Sequence, residues 1–168
     1  MPTDIGEYAV GAYLRLVEKC DFVDYNVRTL GGGRDGLNEL DVLGLNFQTK
    51  VAYVCEVTTH ICGTLYSDYP ETVRRIRKKF EWQITFAERH LPNFETICYQ
   101  FWSPVVPKGT LTTALTQIEK VGRRLELIIN GEYKRRIQEL RKLAKKETRN
   151  TQNPVFRVLQ ILEHLRDG

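Results

Sequence analysis

Asn38-Glu-Leu-Asp-Val-Leu-Gly-Leu45 and Val51-Ala-Tyr-Val-Cys-Glu-Val-Thr-Thr59 are two strand-like runs separated only by Asn46 to Lys50. Two such runs with so short a connection predict a β-hairpin. With the turn centred on Gln48 and Thr49, the numbers of opposed residues sum to 97. Leu43 then faces Val54, Asp41 faces Glu56, and Glu39 faces Thr58. Opposed residues have Cβ atoms about 4.5–5.5 Å apart, so two or three carboxylates share one end of one face. A turn shifted by one residue would separate them.

Outward from this hairpin the chain alternates between helical and strand periods. Upstream, Ile5, Tyr8, Ala9, Ala12, Tyr13, Leu16, Val17 and Cys20 keep the spacing of one buried helix face. Asp4 can cap that helix, with Glu7 as the reciprocal partner of a capping box. Residues 22–30 read as a strand, and Gly31 to Gly36 as a loop. Downstream, 70–91 is a helix opened by Pro70, with Val73, Ile76, Phe80, Ile84, Ala87 and Leu91 as its buried stripe. Residues 94–102 form a strand, 111–121 a helix and 125–129 a short buried strand. Residues 131–146 form a basic helix capped by Asn130. Asn153-Pro154 opens a last helix expected to bury Val155, Val158, Leu159, Leu162 and Leu165. The order α-β-β-β-α-β-α-β-α with a terminal helix predicts an α/β sandwich with a mixed central sheet flanked by helices. Residues 1–150 read as one domain and 151–168 as a C-terminal helix packing on that core or on a second subunit.

Composition sets the outer bounds. The chain has 168 residues, 42% hydrophobic and 27% charged, which fits one globular domain and excludes disordered and fibrous classes. No apolar run approaches the roughly 20 residues needed to cross a bilayer, and the first residues lack the pattern of a signal peptide. Cys20, Cys55, Cys62 and Cys98 have neither CxxC spacing nor scaffold density, so they read as reduced thiols of a cytoplasmic protein without a zinc site. The charge is asymmetric. Residues 1–69 carry five Lys/Arg against ten Asp/Glu, a net of −5, and residues 70–168 carry 20 against 11, a net of +9. An acidic half suited to a metal joins a basic half suited to phosphate, unless the basic helices are simply solvated faces.

Clustered carboxylates repel one another, and a bound Mg²⁺ or Mn²⁺ relieves that repulsion with a ligand chemistry that hard cations accept. Glu39 and Asp41 can also be read as exposed polar residues on a half-solvated face. Glu56, inside an otherwise apolar run, is harder to read that way.

Residues 6–60 resemble the core of the restriction-endonuclease-like PD-(D/E)XK nuclease superfamily, and are most similar to its Holliday-junction-resolvase-like and Mrr-like branch. The resemblance rests on Gly6-Glu7 in the first helix, the strand and glycine loop of Asn26 to Gly36, Asn38-Glu39-Leu40-Asp41-Val42, and Val54-Cys55-Glu56-Val57-Thr58. It implies the three-layer restriction-endonuclease-like sandwich and a divalent metal, Mg²⁺ or Mn²⁺, held by Asp41, Glu56 and the carbonyl of Val57. Glu7 would assist that metal through water, beside its reading as a capping residue.

One position departs from the family pattern. Thr58 stands where the superfamily has a lysine, and a threonine can hold a water but brings no charge. Lys50 is on the same strand but about 20 Å away at about 3.3 Å per residue. A cation from the second helix is therefore expected to substitute, Lys78 first and Arg74 second. His60, Gln83 and Thr58 itself are further candidates. The expected function is metal-dependent hydrolysis of phosphodiester bonds in nucleic acid, DNA in the first place, with Asp41, Glu56, Thr58 and Lys78 as catalytic residues. Arg74, Arg77, Lys78, Lys134, Arg135 and Lys142 are expected to track the phosphates. The competing expectation is a module on the same scaffold that binds nucleic acid, or a protein partner, without cutting. A homodimer through the last helix belongs with either.

Overall fold

The apolar spacings of the first and second predicted helices become helices on opposite faces of one sheet. The computed structural model describes residues 3–28, 39–61 and 66–166. The Gly31 to Gly36 loop, the last two residues of the first expected strand, Asn38 and Cys62 lie outside the described residues. In chain order the elements are α1 (Ile5–Leu16), β1 (Phe22–Arg28), β2 (Glu39–Asn46), β3 (Val51–Val57), α2 (Tyr69–His90), β4 (Thr96–Ser103), α3 (Thr110–Thr116), β5 (Glu119–Lys120), β6 (Arg123–Arg124), β7 (Glu126–Ile129), α4 (Asn130–Lys146) and α5 (Pro154–Leu165). The main sheet runs β1-β2-β3-β4-β7. Its first three strands are antiparallel, and β3, β4 and β7 are parallel, so the expected α/β class with a mixed sheet is what the chain forms. Among the described residues no helix is long and apolar enough to cross a membrane.

Each face of the sheet carries its own core. On one side α1, α4 and α5 bury Val10, Leu14, Leu140 and Phe156 against Val42, Cys55 and Trp102. On the other, α2 and α3 bury Ile76, Phe80, Leu111 and Leu115 against Leu43, Val54 and Phe101. Helix α1 lies close to the sheet because β2 presents Gly44 to it. A Cβ there would come within 2.8 Å of Leu14 Cδ1.

The hairpin has the predicted register, with Leu43 opposite Val54 and Val42 opposite Cys55. Its turn is held by Asn46, whose Oδ1 accepts the backbone N–H of Gln48 at 3.1 Å and of Thr49 at 2.9 Å. In β1–β2 the pairing is regular on both sides of Asn26 and Asp41 but skips that rung, where Asn26 takes the left-handed φ of 53°. Tyr25 and Val42 belong to the α1 side, whereas Val27 and Leu40 belong to the α2 side. Residues two apart on a strand should share a face, so both strands turn over together at Asp41.

Four expectations need correction. The helix expected over 111–121 stops at Thr116, and residues 119–124 form the two-stranded β5–β6 ribbon around Val121 (φ 52°) and Gly122 (φ 72°). Asn130 does not cap α4; its side chain bridges the backbone N–H and carbonyl of Val106 at 2.9 and 3.0 Å. Ile5 is exposed at the start of α1. In α5, Val158, Leu162 and Leu165 are exposed, and Phe156 and Gln160 are buried instead. The cause is polar anchoring: Asn153 caps α5 through Phe156 N–H and also donates to the Tyr8 carbonyl at 2.8 Å, and Gln160 donates to the Glu147 and Arg149 carbonyls. These bonds set the rotation of α5 against α1 and α4.

Candidate functional site

The carboxyl ends of β3 and β4 and the amino end of α1 meet at a cavity of about 170 Å³. Glu7, Asp41, Glu56, Val57, Thr58, His60, Tyr66, Lys79 and Phe101 line it. In open α/β sheets, ligands bind beyond the carboxyl ends of the parallel strands. Six of these nine residues were named from sequence as site candidates, and the structure brings all six to one cavity.

Each carboxylate is fixed from the backbone upward. Past Val42 the hairpin ladder ends, and there the Asp41 carboxylate itself takes over, Oδ2 accepting the Val57 N–H at 2.7 Å. Thr58 N–H donates instead to the Trp102 carbonyl on β4 at 2.9 Å. Glu56 comes off β3 on the α2 side, where Lys79 Nζ forms a close, well-shielded ion pair with Glu56 Oε1. Glu7 takes the capping role read from sequence and also stands at the cavity. It closes the capping box with Asp4 and lines the cavity, its Oε2 accepting from Asp4 N–H and Asn26 Nδ2 at 3.0 Å each. Glu39 turns away from Thr58, its predicted opposite, and pairs with Arg28 across β1 at 2.8 Å.

Electrostatically the cavity holds more negative charge than its surroundings easily support. Burial, then the neighbouring Asp41 charge, push the Glu56 carboxyl up to about 8. Burial also raises the Asp41 carboxyl, against the opposing pull of Lys79 and the Val57 N–H. Desolvation raises Glu7 as well. Burial works against the Lys79 ammonium too, but Glu56 and Asp41 outweigh it and hold that ammonium above its ordinary range. Positive charge brought to this pair favours its ionised form, as Lys79 already does.

The cation in the cavity is Lys79 and not Lys78, the residue sequence put first. Lys78 is exposed outside the cavity, and Arg74 forms an ion pair with Glu71 at 2.7 Å. Gln83 is buried one turn beyond Lys79, with neither side-chain polar atom hydrogen-bonded among the described residues, and does not line the cavity. The Thr58 hydroxyl lines it and accepts the His60 N–H at 3.4 Å. Tyr66, missed from sequence, forms part of the wall and carries the Arg75 guanidinium 4.7 Å over its ring; an isolated tyrosine between two elements gives no periodic signal.

The six residues expected to track phosphates do not form one patch. Arg74, Arg77 and Lys78 lie on α2, whereas Lys134, Arg135 and Lys142 lie on α4 behind the opposite face of the sheet. Arg135 is moreover paired with Glu132 and Glu139.

Among the described residues no group of three or more His, Cys, Asp and Glu side chains is placed to hold a metal ion. Asp41 and Glu56 nevertheless fit a hard cation. Mg²⁺ is commonly bound through one or two carboxylates, with waters and substrate phosphate completing its shell. Glu56, buried, and Asp41, half-buried, supply such a donor pair at the wall of the cavity. Compared with protein-family models, with curated proteins and with solved structures, the chain gives no match to any of the three.

Proposed function

We infer that the chain is a divalent-metal-dependent nuclease on a restriction-endonuclease-like scaffold, hydrolysing phosphodiester bonds of nucleic acid, DNA in the first place. One observation carries this reading: Asp41, Glu56 and Lys79 meet at one strand end, with Glu7 beside them. Two strand carboxylates and a lysine are the parts that the PD-(D/E)XK resemblance calls for. The lysine missing at Thr58 is supplied here from α2.

Asp41 and Glu56 would hold Mg²⁺ or Mn²⁺, which when bound supplies a Lewis acid for the phosphodiester and acidifies water. The residues of the chain have separate tasks. Asp41, locked by the Val57 N–H, fixes one donor direction. Glu7 keeps Oε1 without a hydrogen bond among the described residues, and so has an acceptor with which to orient water. Lys79 would set its charge against the negative charge growing on an attacked phosphate, where a fixed cation lowers the barrier most. Arg77 and Lys78, exposed on the same helix, would continue along the backbone.

A second reading, nucleic-acid binding without cutting, is favoured by the Lys79–Glu56 ion pair, because it already neutralises one proposed ligand. Incubating plasmid and branched DNA with Mg²⁺ or Mn²⁺ separates the two. Wild-type cutting that disappears in Asp41→Ala, Glu56→Ala and Lys79→Ala, while Lys78→Ala still cuts, supports the nuclease. No cutting in either metal, with DNA still retarded in a gel at low salt, leaves the binding module.

A further inference from the structure

A second cavity, of about 290 Å³, lies on the other side of the α1–β1 contact and plays no part in the proposed chemistry. Its walls come from α1, the start of β1 and residues 151–153 of the α4–α5 linker. We propose that this cavity receives an unpaired nucleobase of the nucleic acid whose phosphate lies at Asp41 and Glu56, so that the substrate is single-stranded or locally unpaired. This rests on the nuclease reading above.

Two neighbouring contacts link the cavities. At the first, Asn26 of β1 donates to Glu7 of α1, which lines the carboxylate cavity. One residue along each element, Tyr25 and Tyr8 stand with ring centroids 5.2 Å apart and line the second cavity. The two cavities therefore lie on either side of this pair of neighbouring contacts.

The chemistry of the walls suits a planar group with apolar faces and a polar edge. Tyr8 and Tyr25 offer aromatic surface, which every base can use because every base has a π-face. The polar edge is unsatisfied. The Tyr25 hydroxyl is approached only by Asn153 Nδ2 at 3.5 Å, as an acceptor, so its own proton is uncommitted among the described residues. Arg15 commits Nη1 to the Cys20 and Asp21 carbonyls, and its Nε and Nη2 have no bond among the described residues. The Tyr25 hydroxyl and the free Arg15 nitrogens thus offer uncommitted donors on residues that line one space, as the acceptors of a base edge require. A phosphate fits poorly, since Asp21 lines the same cavity. An acyl chain would leave those donors without acceptors.

The cavity is also built rather than accidental. The linker wall is tied down by Gln160 at the Glu147 and Arg149 carbonyls, by Asn150 Oδ1 accepting the Gln152 N–H at 2.9 Å, and by Asn153 at the Tyr8 carbonyl. Extruding a base from a duplex has a free-energy cost that an already single strand avoids, so this cavity favours unpaired substrates.

The test measures binding without metal. Adenosine, cytidine and thymidine are titrated into wild type, Tyr25→Phe, Tyr8→Leu and Asp41→Ala in EDTA by calorimetry, alongside a single-stranded oligonucleotide carrying 2-aminopurine. Expected are nucleoside binding by wild type, an unchanged constant in Asp41→Ala, and a loss of about five- to ten-fold in Tyr25→Phe and Tyr8→Leu. The 2-aminopurine fluorescence should be quenched by wild type and less by Tyr8→Leu. No nucleoside binding at millimolar concentration overturns the proposal, as does binding that both cavity variants leave unchanged. A protein that cuts nothing but binds nucleosides here keeps the cavity assignment and retires the nuclease; one that cuts duplex and binds no nucleoside does the reverse.

Discussion

Replacing Lys79 by methionine keeps the length and apolar stem of the side chain and removes only its charge, so the loss is electrostatic and not a cavity. The Lys79 and Glu56 side chains retain 15% and 9% exposure, so their pair is poorly screened. Removing one partner of a buried ion pair costs about 3–5 kcal/mol, because the other charge is left uncompensated. The acids can escape part of that cost by taking up a proton, which makes the loss depend on pH. Glu56, already raised to about 8, rises further without Lys79, and Asp41 rises with it. An acid whose folded pKa lies above its unfolded value binds more protons in the native state. Stability then falls as pH rises from the unfolded value toward the folded one, by about 1.4 kcal/mol per unit for each proton. Lys79→Met should therefore nearly match wild type at pH 5 and fall behind it above about pH 8, where Glu56 ionises in wild type and stays protonated in the variant. The deficit then grows by about 1.4 kcal/mol per pH unit toward that limit, a drop of about 3–6 °C in Tm by pH 9. Thermal melts in EDTA at pH 5, 7 and 9 measure it. Millimolar Mg²⁺ should restore more of the Tm in the variant than in wild type, since the vacated charge position is then filled by an ion that binds only the folded site. A deficit independent of pH, or none at pH 9, would refute a buried and mutually raised carboxyl pair held by Lys79.

Two further outcomes follow from other parts of the molecule. Arg136 is 8% exposed, joins Glu18, Glu126 and Glu132, and lies 4.7 Å over the Tyr13 ring; Arg136→Met should lose about 3–5 kcal/mol in urea denaturation at pH 7, and a loss under 1 kcal/mol would mean the network is solvent-screened. In DNA-binding titrations across salt, Arg77→Ala and Lys78→Ala should each lower the slope of log K against log salt by about 1, and Lys142→Ala should leave it unchanged; equal effects from all three would place the nucleic acid on both faces.

The hairpin was legible because its register depends on letters close together in the chain: Asn46 fixes the turn and one turn position fixes every pair after it. The capping box of α1 was legible for the same reason. Lys79 was hidden by a stripe drawn only through apolar letters. At about 100° per residue, Lys79 lies about 60° from Ile76 around the helix, whereas Lys78 lies about 160° away. Thr72 and Gln83, both buried, mark the same polar-tolerant line, and that was the signal available. The orientation of α5 was not legible, because Asn153 and Gln160 set it through carbonyls of α1 and the linker, which no local pattern in α5 records. The turnover of β1 and β2 at Asp41 depends on Asn26, a residue that strand patterns count only as polar.

The candidate site draws Glu7 from a helix on one face of the sheet, Lys79 from a helix on the other, and Asp41 and Glu56 from the sheet between. Both hydrophobic layers must therefore close before these groups can meet. During synthesis all four side chains emerge well before β4, whose Trp102 carbonyl receives the Thr58 N–H and holds the end of β3. A half-made chain owns every site residue and has no site. The sandwich brings these four groups together only in a molecule whose two halves have both been built.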